Sequence, residues 1–145
     1  MTPDLLFSIG NMGVLAGWLP LAFLPFWRGT QIIAAVLIPL LLAVAYVTLL
    51  FVPLGEPSTA PLDFTSLQGV KAMFANDQVM LVGWFHYLAF DLFVGAWEVR
   101  DSRTHGIPHL LVIPCLILTF MFGPAGFLLY MIIRTIRLRS VALSN

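Results

Sequence analysis

The chain has 145 residues, 60% of them hydrophobic and 10% charged, with seven basic side chains against seven acidic ones and a mean hydropathy of +0.97. Water-soluble domains carry about 25% charged residues, so this composition excludes an ordinary globular core in water. Zero net charge argues against nucleic acid as a partner, and a lone cysteine, Cys115, excludes an internal disulfide framework or a cysteine zinc site.

A crossing needs about 20 mostly apolar residues to traverse about 30 Å of hydrocarbon. The first such run extends from about Leu5 to Trp27. It is too long for a cleaved signal peptide and has Asp4 where a positive region is expected. After the short turn Arg28-Gly29-Thr30, a second run covers about Gln31 to Val52, so the first two helices must be antiparallel neighbours. The linker PLGEPSTAPLDF, residues 53–64, is rich in chain breakers. The stretch after it has an amphipathic rhythm through Leu67, Val70, Met73 and Phe74, which predicts a short helix lying in the interface. A third span is expected over residues 79–99. A fourth is expected over 109–133, with Pro108 at its first turn. The expectation is therefore one all-α membrane domain, residues 1–145: a bundle of four transmembrane helices with an interfacial helix between spans two and three.

Four crossings put both termini and Lys71 on one side. The terminal arginines Arg134, Arg137 and Arg139 favour a cytoplasmic C-terminus in a bacterial inner membrane or its equivalent. No internal repeat is visible, which argues against a repeat-type transporter. Gly13 and Gly17, with Gly10 nearby, form a small-residue face suited to close helix contact, and the Asn11 amide needs a partner on another helix. Trp27 and Trp97 fit aromatic belts at span ends. Cys115 reads as a small buried hydrophobe.

The chemistry concentrates in GWFHYLAFDLFVGAWEVRDSR, residues 83–103. A carboxylate in mid-span costs about 2.5–3.5 kcal/mol on insertion scales, so Asp91 must face inward, toward a partner or a pocket. Trp84, Asp91 and Glu98 recur every seven residues on one stripe, with Tyr87 a turn before Asp91. His86 lies about 140° away around the helix, on a stripe with Phe93 and Trp97, so a direct contact with Asp91 is not expected. If Asp91 is instead structural, Asn11 and Arg134 are its candidate partners. Further on, Glu98, Asp101, His105 and His109 follow at intervals of three, four and four. That spacing suits metal ligands on one helical face. Gly106 and Pro108 interrupt the helix, and a solvated loop with Arg100 and Arg103 paired to Glu98 and Asp101 is the plainer reading.

The run GWFHYLAFDLFVGAWEVRDS, with GIPHLLVIPCLILTFMFGPAGFLLY after it, resembles the ABA4-like family, small integral membrane proteins named for a plant protein implicated in neoxanthin synthesis. The likeness is most specific at His86, Asp91-Leu92-Phe93, Asp101 and Gly123-Pro124-Ala125-Gly126. It implies an isomerisation of the kind that turns the violaxanthin epoxide into the neoxanthin allene, with no redox cofactor. That reaction needs an acid for the epoxide oxygen and a base for a polyene proton. Asp91 is the candidate acid and His86 or Glu98 the base, with Trp84, Tyr87 and Asn11 as candidate substrate contacts.

Three readings follow. One is a cofactor-independent isomerase of a carotenoid or related isoprenoid. Another is a non-enzymatic accessory protein that binds pigment or lipid or aids assembly of a complex. The third is a metal-dependent membrane enzyme using Glu98, Asp101, His105 and His109. The partners expected are the bilayer and an apolar small molecule; self-association is left open.

Overall fold

A computed structural model of the chain describes residues 2–54 and 63–140. The described residues form helices and connections, with no strand. Helix α1, Pro3–Phe23, opens with the Thr2 hydroxyl accepting from the Leu5 N–H and with Pro3 in its first turn. The chain reverses through residues 24–27, where the Thr30 hydroxyl closes the turn onto the Leu24 carbonyl at 2.6 Å. It then climbs back as α2 (Arg28–Ile32), a π-helical turn (Ile33–Leu37) and α3 (Ile38–Phe51). Pro39 lacks an N–H and would crowd the preceding turn; the wider π turn just before it accommodates the ring while the rod continues.

Breaker-rich residues 55–62 lie outside the described residues. Beyond them Asp63 accepts from the Thr65 and Ser66 hydroxyls, bonds that hold its carboxyl at about 2, below the usual range. Ser66 caps α4, Leu67–Phe74, where the amphipathic rhythm predicted a short helix. Asn76 caps α5, Asp77–Thr104, the 28-residue helix at the centre of the molecule, on which α1, α3 and α6 all pack. Gln78 joins its start to the end of α3: its amide donates to the Leu49 and Val52 carbonyls and accepts from the Leu54 N–H at 2.9 Å.

Three of these units are long and apolar enough to cross a membrane: Pro3–Phe23, Arg28–Phe51 and Asp77–Thr104. Their outer faces carry exposed Leu40, Leu41, Val44, Val47 and Phe51, as side chains meeting acyl tails would. The close approach of α1 and α5 uses Gly10 and Gly17, seven residues apart. A Cβ on Gly17 would stand 2.5 Å from Leu92, one on Gly10 3.1 Å from Phe85, whereas Gly13 faces open space. The face is therefore the two-turn pair, not the expected Gly13–Gly17 pair. On α5, Gly95 receives the Trp18 ring.

The segment expected as a fourth crossing is two helices, α6 (His109–Phe122) and α7 (Pro124–Leu138), folded back on each other at Gly123. Gly123 takes φ +48°, a conformation that favours glycine, and Pro124 opens the new helix. The reversal is fixed by contact. Gly126 lies against the backbone of Thr119 and Cys115, and Arg134 reaches Asp101, just before α6 begins. At 1.5 Å per residue the two arms are each about 21–22 Å long, short of the roughly 30 Å a crossing requires. The tip meets α5 at Asp91, close to that helix's midpoint. Among the described residues the expected four crossings are thus three long helices and a half-length hairpin. The C-terminal arginines lie at the end of the molecule opposite the first residues of α1, not beside them.

Candidate functional site

One face of α5 looks at the hairpin and carries three acids at three depths. Deepest along the helix from either end is Asp91, half-buried, with its carboxyl against the Gly123 backbone: a Cβ there would stand 2.9 Å from Oδ1 and 3.1 Å from Oδ2. Gly123 is also the N-cap of α7. The unsatisfied N–H end of that helix favours negative charge beside it and offsets part of the cost of a carboxylate at this depth. Oδ2 is buried without a hydrogen-bond partner. Tyr87, a turn earlier, stands within reach of the carboxyl and donates its hydroxyl to the Phe120 carbonyl at 3.1 Å. Trp84 stacks on Tyr87 with ring centres 5.2 Å apart, and its indole N–H donates to Asn11 Oδ1 at 2.8 Å. Phe7 covers the other side of the indole at 5.3 Å.

The hairpin turns back at Asp91: Tyr87 still reaches its Phe120 carbonyl, while Trp84, also half-buried, lies against Asn11 and Phe7 of α1. Asp91, Tyr87, Trp84 and Asn11 thus form one connected side-chain cluster that runs from the Gly123 backbone to α1. The stripe expected from heptad spacing is therefore present, and Asn11 is satisfied by a residue of that stripe rather than by Asp91.

Two turns further on, Glu98 is fully buried. The Thr119 hydroxyl donates to Oε1 at 3.0 Å, and Oε2 is unpartnered. One turn beyond, Asp101 Oδ2 accepts from the Tyr130 hydroxyl at 2.5 Å and from Arg134 Nε at 2.8 Å. His105 completes this knot: Nδ1–H donates to the Asp101 carbonyl at 2.9 Å, and Nε2 accepts from Arg134 Nη2 at 3.4 Å.

The four residues spaced for a metal do not converge. His109 Nε2 donates to the Ala22 carbonyl on α1, Glu98 is held by Thr119, and a guanidinium already occupies the Asp101 carboxyl. Among the described residues no three His, Cys, Asp or Glu side chains are placed to hold a metal ion. Gly106 at φ +66° ends the helical register before His109, which is why the even spacing fails. The ion pairs expected of Arg100 and Arg103 are replaced by the pair from Arg134. His86 is exposed on another face of α5, its ring tilted against Phe90 at 4.6 Å and near Tyr46 at 6.0 Å. It does not join Asp91. Of its expected stripe, Phe93 is exposed too, while Trp97 turns onto Phe127 and Tyr130 of α7.

Thr119, Gly123, Tyr130 and Arg134 are site residues that spacing along α5 could not reveal. The available signal was Gly123-Pro124 inside an apolar run, a helix stop followed by a helix start.

The described residues form an all-helical fold, with three helices of membrane-crossing length among them, the central one bearing acids clasped by a bent helical hairpin. A family model described as ABA DEFICIENT 4-like matches residues 5–130, from α1 to Tyr130 on α7. The chain belongs to the ABA4-like family. No curated protein and no solved structure matches it.

Proposed function

We propose that the chain is an integral membrane isomerase of a carotenoid or related isoprenoid, working by proton transfer at the Asp91 cluster beneath the hairpin tip. The observation that supports it is the half-buried Asp91 carboxyl, with an unpartnered oxygen, above the Trp84–Tyr87 stack at mid-depth. A flat apolar polyene packs against the half-buried edges of Trp84 and Tyr87 in this reading, and Asp91, beside them, hands a proton to an oxygen on it. In an epoxide-to-allene rearrangement the C–O bond breaks as that oxygen is protonated, and an adjacent C–H yields its proton to a base. One proton is consumed and one released, so no co-reactant is required. Glu98 and His86 remain the candidates for the base, one buried two turns along α5 and one on the outward stripe.

The test compares pigments and lipids extracted from cells carrying wild type or Asp91→Asn at equal membrane abundance. Wild type is expected to shift one compound's retention at unchanged mass. The variant is expected to lower conversion about a hundredfold or more, within the usual range for a general acid. Full conversion by Asp91→Asn sinks the mechanism. A second reading, a pigment- or lipid-binding accessory protein, draws on the same half-buried aromatic cluster. It is favoured if a ligand co-purifies equally with wild type and Asp91→Asn while nothing is converted.

We also infer that α4 lies in the interface and that the C-terminus is cytoplasmic. With the hairpin folded back, Arg28, Arg100, Arg103, Arg134, Arg137 and Arg139 share one end of the molecule, six of the seven basic residues. Lys71 stands at the other end with Asp4, Asp63 and Asp77. Such a bias orients membrane proteins with the arginines inside. A C-terminal reporter is expected to be active only as a cytoplasmic fusion, and an N-terminal one only as an external fusion. Both termini reporting from the same side removes the half-length hairpin topology.

A further inference from the structure

At the arginine-rich end, α5 and the α1–α2 turn border an open recess of about 510 Å³ lined by Phe26, Arg100, Arg103 and Thr104. Arg103 is held in place: Nη1 donates to the Pro25 carbonyl at 2.9 Å, and the guanidinium lies 5.4 Å over the Phe26 ring. That fixes one N–H and leaves the rest of the donor fork available. Arg100, one turn earlier, is exposed on the same side, and the Thr104 hydroxyl is spent on the Arg100 carbonyl at 3.1 Å. Neither arginine has an ion-pair partner among the described residues, because the nearby Asp101 is taken by Arg134. Two uncompensated guanidinium groups beside one recess call for an anion. Phe26 in its lining is exposed, and so are its chain neighbours Phe23, Leu24 and Trp27, which make the end of α1 an apolar and aromatic rim.

We propose that this recess binds the phosphate headgroup of an anionic phospholipid, with the acyl chains lying along the Phe23–Leu24 rim. Guanidinium forks recognise phosphate oxygens bidentately, and basic recesses between membrane helices commonly hold such headgroups. A free phosphate would use the same arginines but would gain nothing from the exposed apolar rim. The lipid satisfies both halves of the site.

The experiment uses the full chain in nanodiscs of phosphatidylcholine containing a minority of phosphatidylglycerol, with retained lipid counted by native mass spectrometry. Wild type is expected to retain phosphatidylglycerol selectively. Arg100→Gln, an exposed substitution with no structural partner to lose, should weaken retention about fivefold, and R100Q/R103Q about thirtyfold, given about 1 kcal/mol per arginine near an anionic lipid. R137Q/R139Q removes the same charge outside the recess and is expected to keep the lipid. Unchanged retention in R100Q and R100Q/R103Q overturns the proposal. So does equal loss in both double variants, which marks diffuse attraction, or displacement of the lipid by inorganic phosphate that binds delipidated protein as tightly.

Discussion

Gly126→Ala is expected to unfasten the α6–α7 hairpin and to leave the protein largely unfolded or aggregated in membranes. A Cβ at this position would run into the Thr119 N–H and hydroxyl and the Cys115 carbonyl. Two of those three atoms belong to the backbone, which no rotamer change can move. Overpacking usually costs about 1–3 kcal/mol because side chains give way; here the helices themselves must separate, so the upper end of that range or more is expected. Separation also draws Thr119 from Glu98, stranding a fully buried carboxyl. Cys115, buried and alone, reports the change: a thiol reagent that leaves it untouched in wild type should label it rapidly in the variant. Gly13→Ala is the control, since nothing lies within 4 Å of that position and alanine favours a helix by about 1 kcal/mol over glycine. Slow labelling of Cys115 in Gly126→Ala, at unchanged stability, contradicts the close packing of the hairpin.

The three long helices were legible because a run of apolar residues between breakers carries its own length, and length decides a crossing. The inward stripe of Trp84, Asp91 and Glu98 was legible for a similar reason: heptad spacing on one unbroken helix fixes direction. The separation of His86 from Asp91 follows from the same arithmetic. Hydropathy fails at the hairpin. Residues 109–133 are as apolar folded double as straight, and only the left-handed Gly123 and the proline after it distinguish the two. A straight helix over these residues would carry Arg134 to the end where α1 begins; the turn returns it to the end of Arg100 and Arg103, and the balance of charge between the two ends changes with it. The spacing of Glu98, Asp101, His105 and His109 misled because it assumes one continuous helix, which Gly106 ends. Asp101 found its partners 29 and 33 residues away on α7, a distance that no local pattern reports.

Arg134→Met is expected to destabilise the fold by about 3–5 kcal/mol, the usual cost of stranding one member of a buried ion pair. Arg134 is 1% exposed, and its guanidinium bridges Asp101 and His105 across the seam between α5 and α7. With the cation gone, Asp101 keeps the Tyr130 hydroxyl but faces a methionine where its counter-charge stood. Asp101→Asn should cost similarly, since it leaves the guanidinium buried against a neutral amide. The double variant D101N/R134M removes both charges, and it is expected to recover most of the loss, because a neutral seam of similar volume has no stranded ion to solvate. Unfolding in mixed detergent micelles, followed for all four proteins, gives the coupling energy directly. A large coupling locates the clasp at Arg134, while additive losses in the double variant would mean that the two residues contribute separately and that the hairpin is held by Gly126 and Thr119 alone.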